Sequence, residues 1–433
     1  MASLNFTVMI TKFIEELRWR RMLHDITPGT EDFLATDSRK GYIGFDPTAD
    51  SLGVGNLVQV MMLIHFQRSG HQPVALVGGA TGMIGDPSFK SEERSLLKKK
   101  DLIANLNSQQ LQLKKLLRTS EANSAEVLNN HDWFANFGFL DFIREIGKHI
   151  TVNYMLAKDS VKSRKESGIS FTEFSYQLIQ AFDFHFLSKN KDVCLQMGGS
   201  DQWGNITTGI ELNRRMGGPN AFAITTPLIK KADGTKFGKT EGGNIWLDPK
   251  KTSAYKFYQF WLNSTDDDAA NYIRIFTVRS REEIEALEKT HIENPHLRIL
   301  QKELASDITE RVHSLDALKN AIRASEILFG SGTNEMLREI AEADLLDIFS
   351  GVVKMTVSFN SLTSGISVLD LVTADNSLFK SRGEAKKLIQ AGGVSINKSK
   401  VKIEELIFKK DLLGKKYILV QKGKKNYAFV TFK

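Results

Sequence analysis

The segment YIGFDPTADSLGVGNLVQVMMLIHF, residues 42–66, decides the fold of the N-terminal half. YIGF (42–45) reads as a short buried strand, and the apolar run that resumes after Asp-Pro-Thr reads as a helix reaching to Gly70. Asp50 or Ser51 is the expected N-cap and Gly70 the expected stop. A helix that opens at the end of a strand presents unpaired N–H groups and the positive end of its dipole, which suits a phosphate. Gly53 and Gly55 fall in the expected first turn, where glycine weakens a helix but lets a ligand approach the backbone. Close packing of the helix on the strand would ask for the same glycines, so spacing alone leaves both readings open.

Working outward, PVALV (73–77) is a second strand, followed by GGATGMIGDP (78–87) and a charged helical stretch from Ser91 to about Thr119. VCLQM (193–197), then GGSDQ and a helix, repeats the strand-turn-helix unit, and AFAITTPLI (221–229) is a further strand. Strands alternating with helices favour an α/β fold with a parallel sheet. From Thr252 to about Ser350 the pattern is helical. The polar stretch SFNSLTSG (358–365) reads as a linker, and the remainder mixes a helix with short strands, a small α+β domain.

A chain of 433 residues with 41% hydrophobic and 25% charged residues fits a soluble protein of two or three domains. The single cysteine, Cys194, excludes an internal disulfide and a multi-cysteine metal site, and fits a reducing compartment. No His/Cys spacing resembles a ligand set, so no protein-bound metal is expected. No apolar run reaches membrane-spanning length, and Glu15 and Glu16 within FIEELRWRR favour an amphipathic first helix over a transit peptide. The expectation is a cytoplasmic protein. From Ser367 onward there are 15 Lys and Arg against 6 Asp and Glu, whereas the rest holds 43 against 45. A basic terminal module on a near-neutral body suits a polyanion such as nucleic acid, or a solvated lysine-rich surface.

Three further stretches carry chemistry. KFGKT (236–240) sets Lys236, Lys239 and Thr240 among glycines, a loop able to grip phosphates or a plain hairpin tip. In FTEFSYQLIQAFDFHFL (171–187), Tyr176, Gln180 and Asp183 recur at i, i+4 and i+7, a polar stripe on an otherwise apolar helix. Such a stripe needs a polar ligand or an internal network. Near the C-terminus, Arg382, Lys386 and Lys387 form a basic helix and Lys422, Lys424 and Lys425 a basic hairpin, a surface suited to RNA backbone.

Taken in order, GFDPTADSLGVGN, GGATGMIGDPS, GGSDQWGN and KADGTKFGKT resemble the bacterial-type tyrosyl-tRNA synthetases, and the terminal unit is similar to an S4-type RNA-binding domain. The resemblance covers nearly the whole chain. It implies a Rossmann-type catalytic domain with a dimer-interface insertion over 1–229 and a mobile KFGKT loop over 230–247. A helical anticodon-side domain would follow at 248–357, then the linker and an S4-like domain at 366–433. It further implies a homodimer that activates L-tyrosine with ATP and Mg²⁺ and transfers it to the 3′ end of tRNA(Tyr).

The resemblance also implies roles for single residues. Tyr42 and Asp183 match positions that hydrogen-bond the substrate phenol; Asp86, Tyr176 and Gln180 match those that hold its ammonium. Asn130 and Trp133 match supporting positions, and Gly199, Asp201 and Gln202 match contacts to the ribose and the tyrosyl carboxyl side. Asp46 and Thr48 lie at the adenylate and phosphate end, Lys90 and Arg94 match a loop near pyrophosphate, and Lys236, Lys239 and Thr240 stand at the second signature. The family's first signature, His-x-Gly-His, is here Gly53-Val54-Gly55-Asn56. Asn56 keeps a side-chain donor and Gly53 has none; losing one transition-state donor costs roughly 3–4 kcal/mol, about 10²–10³ in rate. Two other readings remain, a related synthetase for tryptophan and, on the GVGN signature, a catalytically impaired RNA-binding paralogue. Tyr42 with Asp183 counts against tryptophan, and the intact KFGKT and pocket count against the paralogue.

Overall fold

The computed structural model describes residues 12–88, 96–120, 123–162, 168–240, 243–329, 334–340, 342, 345–346, 349, 353–375, 378–423 and 426–433. Its contacts divide the chain into two units, Met1–Lys251 with Ser264–Ile308, and Thr252–Asn263 with Thr309–Lys433.

The first unit is built on five parallel strands, β1 (Lys40–Phe45), β2 (Gln72–Val77), β3 (Glu126–Asn129), β4 (Val193–Gly199) and β5 (Phe222–Thr226), in the order β3-β2-β1-β4-β5. Helix α1 (Val54–Arg68) follows β1 and is apolar nearly all round, as a helix buried in a core must be. It stops before Gly70, whose φ of 88° lets the chain leave in a left-handed conformation. Its start differs from the expectation: the N-cap is Gly53, not Asp50 or Ser51. The loop 46–52 stays non-helical because a second helix, α2 (Lys99–Leu116), binds its backbone. Asn105 donates to the Pro47 carbonyl (3.0 Å) and Gln109 to that of Ala49 (2.9 Å), while Gln112 accepts from the Leu52 N–H (2.8 Å). Two more helices, α3 (Phe171–Lys191) and α4 (Trp203–Arg215), pack on each other and on β4.

The expected helical domain at 248–357 is divided. Helix Asp266–Phe276 buries Ala269, Tyr272, Ile273 and Phe276 and packs against α1 in the first unit. The buried Arg20 guanidinium donates to the carbonyls of Arg274, Thr277 and Arg279, tying the first helix, Lys12–Trp19, to the same segment. Helices Ala254–Leu262 and Leu315–Phe329 instead pack together in the second unit.

That unit's sheet comprises β6 (Val353–Val357), β7 (Val394–Ile396), β8 (Ser399–Lys400), β9 (Tyr417–Lys422) and β10 (Asn426–Phe432), ordered β8-β7-β9-β10-β6. Because β6 pairs in parallel with β10, residues 358–365 are not a linker between domains but a connection inside this unit. Helix α5 (Arg382–Gln390) packs its Ala385 and Ile389 into the core with Phe379, Val394 and Ile418. Among the described residues no helix is long and apolar enough to cross a membrane.

Candidate active site

In a parallel sheet of this order the chain leaves β1 and β4 toward opposite faces, which opens a crevice at their carboxyl ends. A cavity of about 420 Å³ lies there. Tyr42, Asp86, Asn130, Tyr176, Gln180, Asp183 and Gln202 line it, as do Asp46, Thr48, Gly55, Asn56, Gly199, Asp201 and Lys236. Gly53, Trp133 and Lys239 lie outside its wall. Lys90 and Arg94 lie outside the described residues, as do Lys424 and Lys425.

The deep end is organised around Asp183. Trp133 donates its indole N–H to one carboxyl oxygen (2.9 Å) and Asn130 donates its amide to the other (3.0 Å). The Trp133 ring is stacked on Phe186 at 4.6 Å, and Asn130 accepts from the Ala80 N–H, so both donors are fixed. Burial, aided by the nearby Asp46 charge, raises the Asp183 carboxyl to about 8 against the pull of those two N–H groups. Tyr42 is buried, its ring edge-on to Phe184, and its hydroxyl has no partner among the described residues. Burial and the Asp183 charge hold that hydroxyl in its neutral form well above the ordinary phenol range.

The Asp183 value sets a pH dependence. A carboxyl whose folded value exceeds its unfolded one gives stability that is full below the unfolded value, near 3.8, and lost as pH rises through about 8. The Asp183→Asn protein is expected to lose this part of the decline, read as a flatter melting profile between about pH 4 and pH 8.

The middle of the cavity holds a second network. Asp46 accepts from the hydroxyls of Tyr176 (2.9 Å) and Thr81 (2.7 Å), so it anchors both side chains in the cavity wall. Burial and the Asp46 charge keep the Tyr176 phenol protonated. Gln202 donates to Asp86 (2.7 Å) and accepts from Gln180 (3.5 Å). Thr81 and Asn205 were not singled out from sequence. Each sits inside a quoted motif, GGATG and GGSDQWGN, and an uncharged polar residue fixed within such a motif is the signal that could have found them.

At the shallow end the two signature segments are knitted together. Val54 N–H donates to the Ile245 carbonyl (3.0 Å) and Leu247 N–H to that of Leu52 (2.9 Å). Phe237 is buried between Tyr272 and Phe276 (5.0 and 5.4 Å), which anchors the loop between exposed Lys236 and Lys239. Gly238, at φ 81°, lies so close to α1 that a Cβ there would stand 2.9 Å from Val54 Cγ2. Lys239–Thr240 pairs with Gly243–Asn244 as a hairpin.

Asn56 is partly committed: its side-chain oxygen accepts the Gly53 N–H (3.0 Å), leaving the amide N–H₂ to face ligand. Gly53 has extended backbone, and a Cβ would meet only the Ile245 carbonyl at 3.3 Å and Asn56 at 3.9 Å. A side chain is therefore accommodated with a small shift. If the activity is the one the resemblance implies, Gly53→His is expected to raise the rate of adenylate formation by about tenfold or more without changing the KM for tyrosine, measured as pyrophosphate exchange.

The C-terminal cations divide. Lys386 and Lys387 are exposed on α5, and Arg382 pairs with Asp370 (2.6 Å). Lys422 corrects the expectation of a free RNA-facing cation: its ammonium bonds Glu384 (2.6 Å) and the Leu378 carbonyl (3.0 Å) over the Phe379 ring.

Comparison with known proteins agrees with this geometry. Residues 35–330 match the family of class I tRNA synthetases (W and Y), and residues 344–430 match the tyrosine–tRNA ligase SYY-like C-terminal domain. The second match begins ahead of β6, in line with that strand's place in the C-terminal sheet. The chain is 58% identical to the tyrosine–tRNA ligase of Cytophaga hutchinsonii, over 97% of this chain and 99% of that one. It is 56% identical to that of Porphyromonas gingivalis, over 96% and 99%. A C-terminally truncated mitochondrial tyrosyl-tRNA synthetase from Aspergillus nidulans superposes with a TM-score of 0.67 at 28% identity, covering 74% of this chain and 97% of that one. The relatives favour tyrosine over tryptophan and an enzyme over a binding paralogue, and the chain belongs to the tyrosine–tRNA ligase family of class I aminoacyl-tRNA synthetases.

Proposed function

We propose that this enzyme joins L-tyrosine to tRNA(Tyr) in two steps at the β1/β4 cavity. First, the tyrosine carboxylate attacks the α-phosphorus of ATP, which arrives as its Mg²⁺ complex, and pyrophosphate leaves. Second, a ribose hydroxyl at the tRNA 3′ end attacks the tyrosyl carbonyl of the adenylate and AMP leaves. The observation that carries this reading is the deep end of the cavity, where the unpartnered Tyr42 hydroxyl and the Asp183 carboxyl converge on a space that a phenol fills. Asp86, Tyr176 and Gln180 take the ammonium. Gly199, Asp201 and Gln202 face the ribose and carboxyl side, and Asp46, Thr48, Gly55 and Asn56 the nucleotide. Lys236, Lys239 and Thr240, with Lys90 and Arg94, grip the phosphates as charge builds on the leaving group. The test is charging of tRNA(Tyr) with labelled tyrosine: ester-linked label at the 3′ end is expected, and charging of tRNA(Trp) with tryptophan instead would overturn the reading.

Arg382, Lys386 and Lys387 on α5 are the proposed RNA-facing cations of the C-terminal unit, which works on tRNA in the cytoplasm. A second copy of the chain is proposed to cover the apolar face around a 750 Å³ hollow lined by Phe134, Phe137, Phe142 and Met155. Phe139, Val152 and Phe171 line it 66%, 59% and 65% exposed, and Leu140, next to Phe139 in the chain, is 78% exposed, too much apolar surface to leave in water. A two-fold axis through such a patch lets each copy cover the other's. Leu140→Asp is expected to yield a monomer by sedimentation and to depress activity at low protein concentration.

A further inference from the structure

We propose that Asn205, which no role above uses, is the positioning residue for the tyrosine ammonium; this rests on the tyrosine-activating reading and deepens it. Asn205 is 2% exposed, in the first turn of α4. Its side-chain nitrogen stands 3.1 Å from Gln180 Oε1, 3.3 Å from Ser88 Oγ, 3.4 Å from Gln202 Oε1 and 3.5 Å from Asp86 Oδ1. Four acceptors on three separate segments surround one N–H₂ group. Turning the amide over would set its oxygen against the Asp86 carboxylate oxygen, which cannot donate to it, so the amide nitrogen faces this cluster.

That orientation propagates. With its oxygen receiving the Asn205 N–H, Gln180 directs its own N–H₂ to Gln202 Oε1 (3.5 Å). Gln202 in turn directs its N–H₂ to Asp86 Oδ2 (2.7 Å). Asp86 can only accept, so it fixes the sense of Gln202; the Asn205 N–H₂ fixes that of Gln180, whose amide could otherwise point either way. This sense leaves a lone pair of Gln180 Oε1 for the ligand ammonium and spends its N–H₂ on Gln202. Without Asn205, Gln180 can turn its N–H₂ into the cavity, where it opposes the positive charge instead of accepting from it. Asn205 touches no reacting atom; it fixes which way Gln180 faces.

The test separates ammonium recognition from general loosening. Asn205→Leu keeps the branched shape and removes the donor; Asn205→Ser keeps a shorter donor and serves if the leucine protein fails to fold. Tyrosine-dependent pyrophosphate exchange gives the KM for tyrosine and for ATP. Competition with tyramine, which carries the ammonium but no carboxylate, is compared with 3-(4-hydroxyphenyl)propanoate, which carries the carboxylate but no ammonium. In the leucine protein the KM for tyrosine and the inhibition constant of tyramine are expected to rise by about tenfold or more. The propanoate constant and the KM for ATP are expected to hold, with the serine protein between. An equal loss for both inhibitors, or no loss for either, overturns the assignment. Absence of tyrosine-dependent exchange in the unsubstituted enzyme would instead overturn the tyrosine-activating reading itself.

Discussion

Replacing Asp183 with alanine is expected to lower kcat/KM for tyrosine by about 10²–10³ while leaving the KM for ATP unchanged. The substitution removes the acceptor for the substrate phenol and also strands the Trp133 and Asn130 N–H groups that now point at it. A hydrogen bond to a charged or strongly polarised group is worth about 1.5–3 kcal/mol, and each buried donor left unmade costs about 1–3 kcal/mol more. A partly collapsed pocket recovers some of that sum. Tyr42→Phe loses a single neutral hydrogen bond and is expected to cost about fivefold. A site built to hydrogen-bond a hydroxyl rejects the analogue that lacks it, a rule for which tyrosyl-tRNA synthetases are themselves the type case. Phenylalanine should therefore gain relative to tyrosine in both variants, by more in Asp183→Ala. Steady-state exchange with the two amino acids measures both effects.

Lys236→Ala and Lys239→Ala are each expected to lower the kcat of adenylate formation by about 10²–10³ with little change in the KM for tyrosine. Lys236 is on the cavity wall, and Lys239 follows it across the Phe237 anchor on a hairpin tied to the first signature. Both ammonium groups are exposed, so neither serves the fold, and melting temperatures should hold. Their value lies in meeting charge that appears on the departing pyrophosphate, which raises kcat and leaves ground-state tyrosine binding alone. The loop's glycine is a different matter. At φ 81° and against Val54, Gly238 accepts no side chain without displacing the loop from α1, so its substitution should disturb the positions of both lysines together.

Much of the catalytic half is legible from sequence because its central elements are buried and long. β1, α1 and β2 announce themselves as apolar runs bounded by glycine and proline, and the stripe Tyr176, Gln180 and Asp183 follows from helical spacing alone. The assignment of that stripe to a phenol and an ammonium came from the resemblance of whole motifs. What was misread depends on distant partners. The start of α1 was placed too early because Asn105, Gln109 and Gln112, some sixty residues away, hold the preceding loop extended. β3 has four residues, too few for a period. The strand β6 falls in the expected helical region because its strand partner, β10, lies at the far end of the chain. Lys422 looked like a free cation because nothing local announces its pairing with Glu384. Asn205 and Thr81 carry no charge and stand out in the sequence only by their place inside GGSDQWGN and GGATG; the oxygens around them appear only in the fold.

The most direct measurement is ATP–pyrophosphate exchange by the purified full chain with tyrosine, phenylalanine and tryptophan supplied separately. The structure predicts exchange that depends on tyrosine, weak exchange with phenylalanine and none with tryptophan, with the GVGN signature limiting the rate and not abolishing it. Exchange driven by tryptophan, or none with any amino acid in a protein that still binds tRNA, would contradict the account.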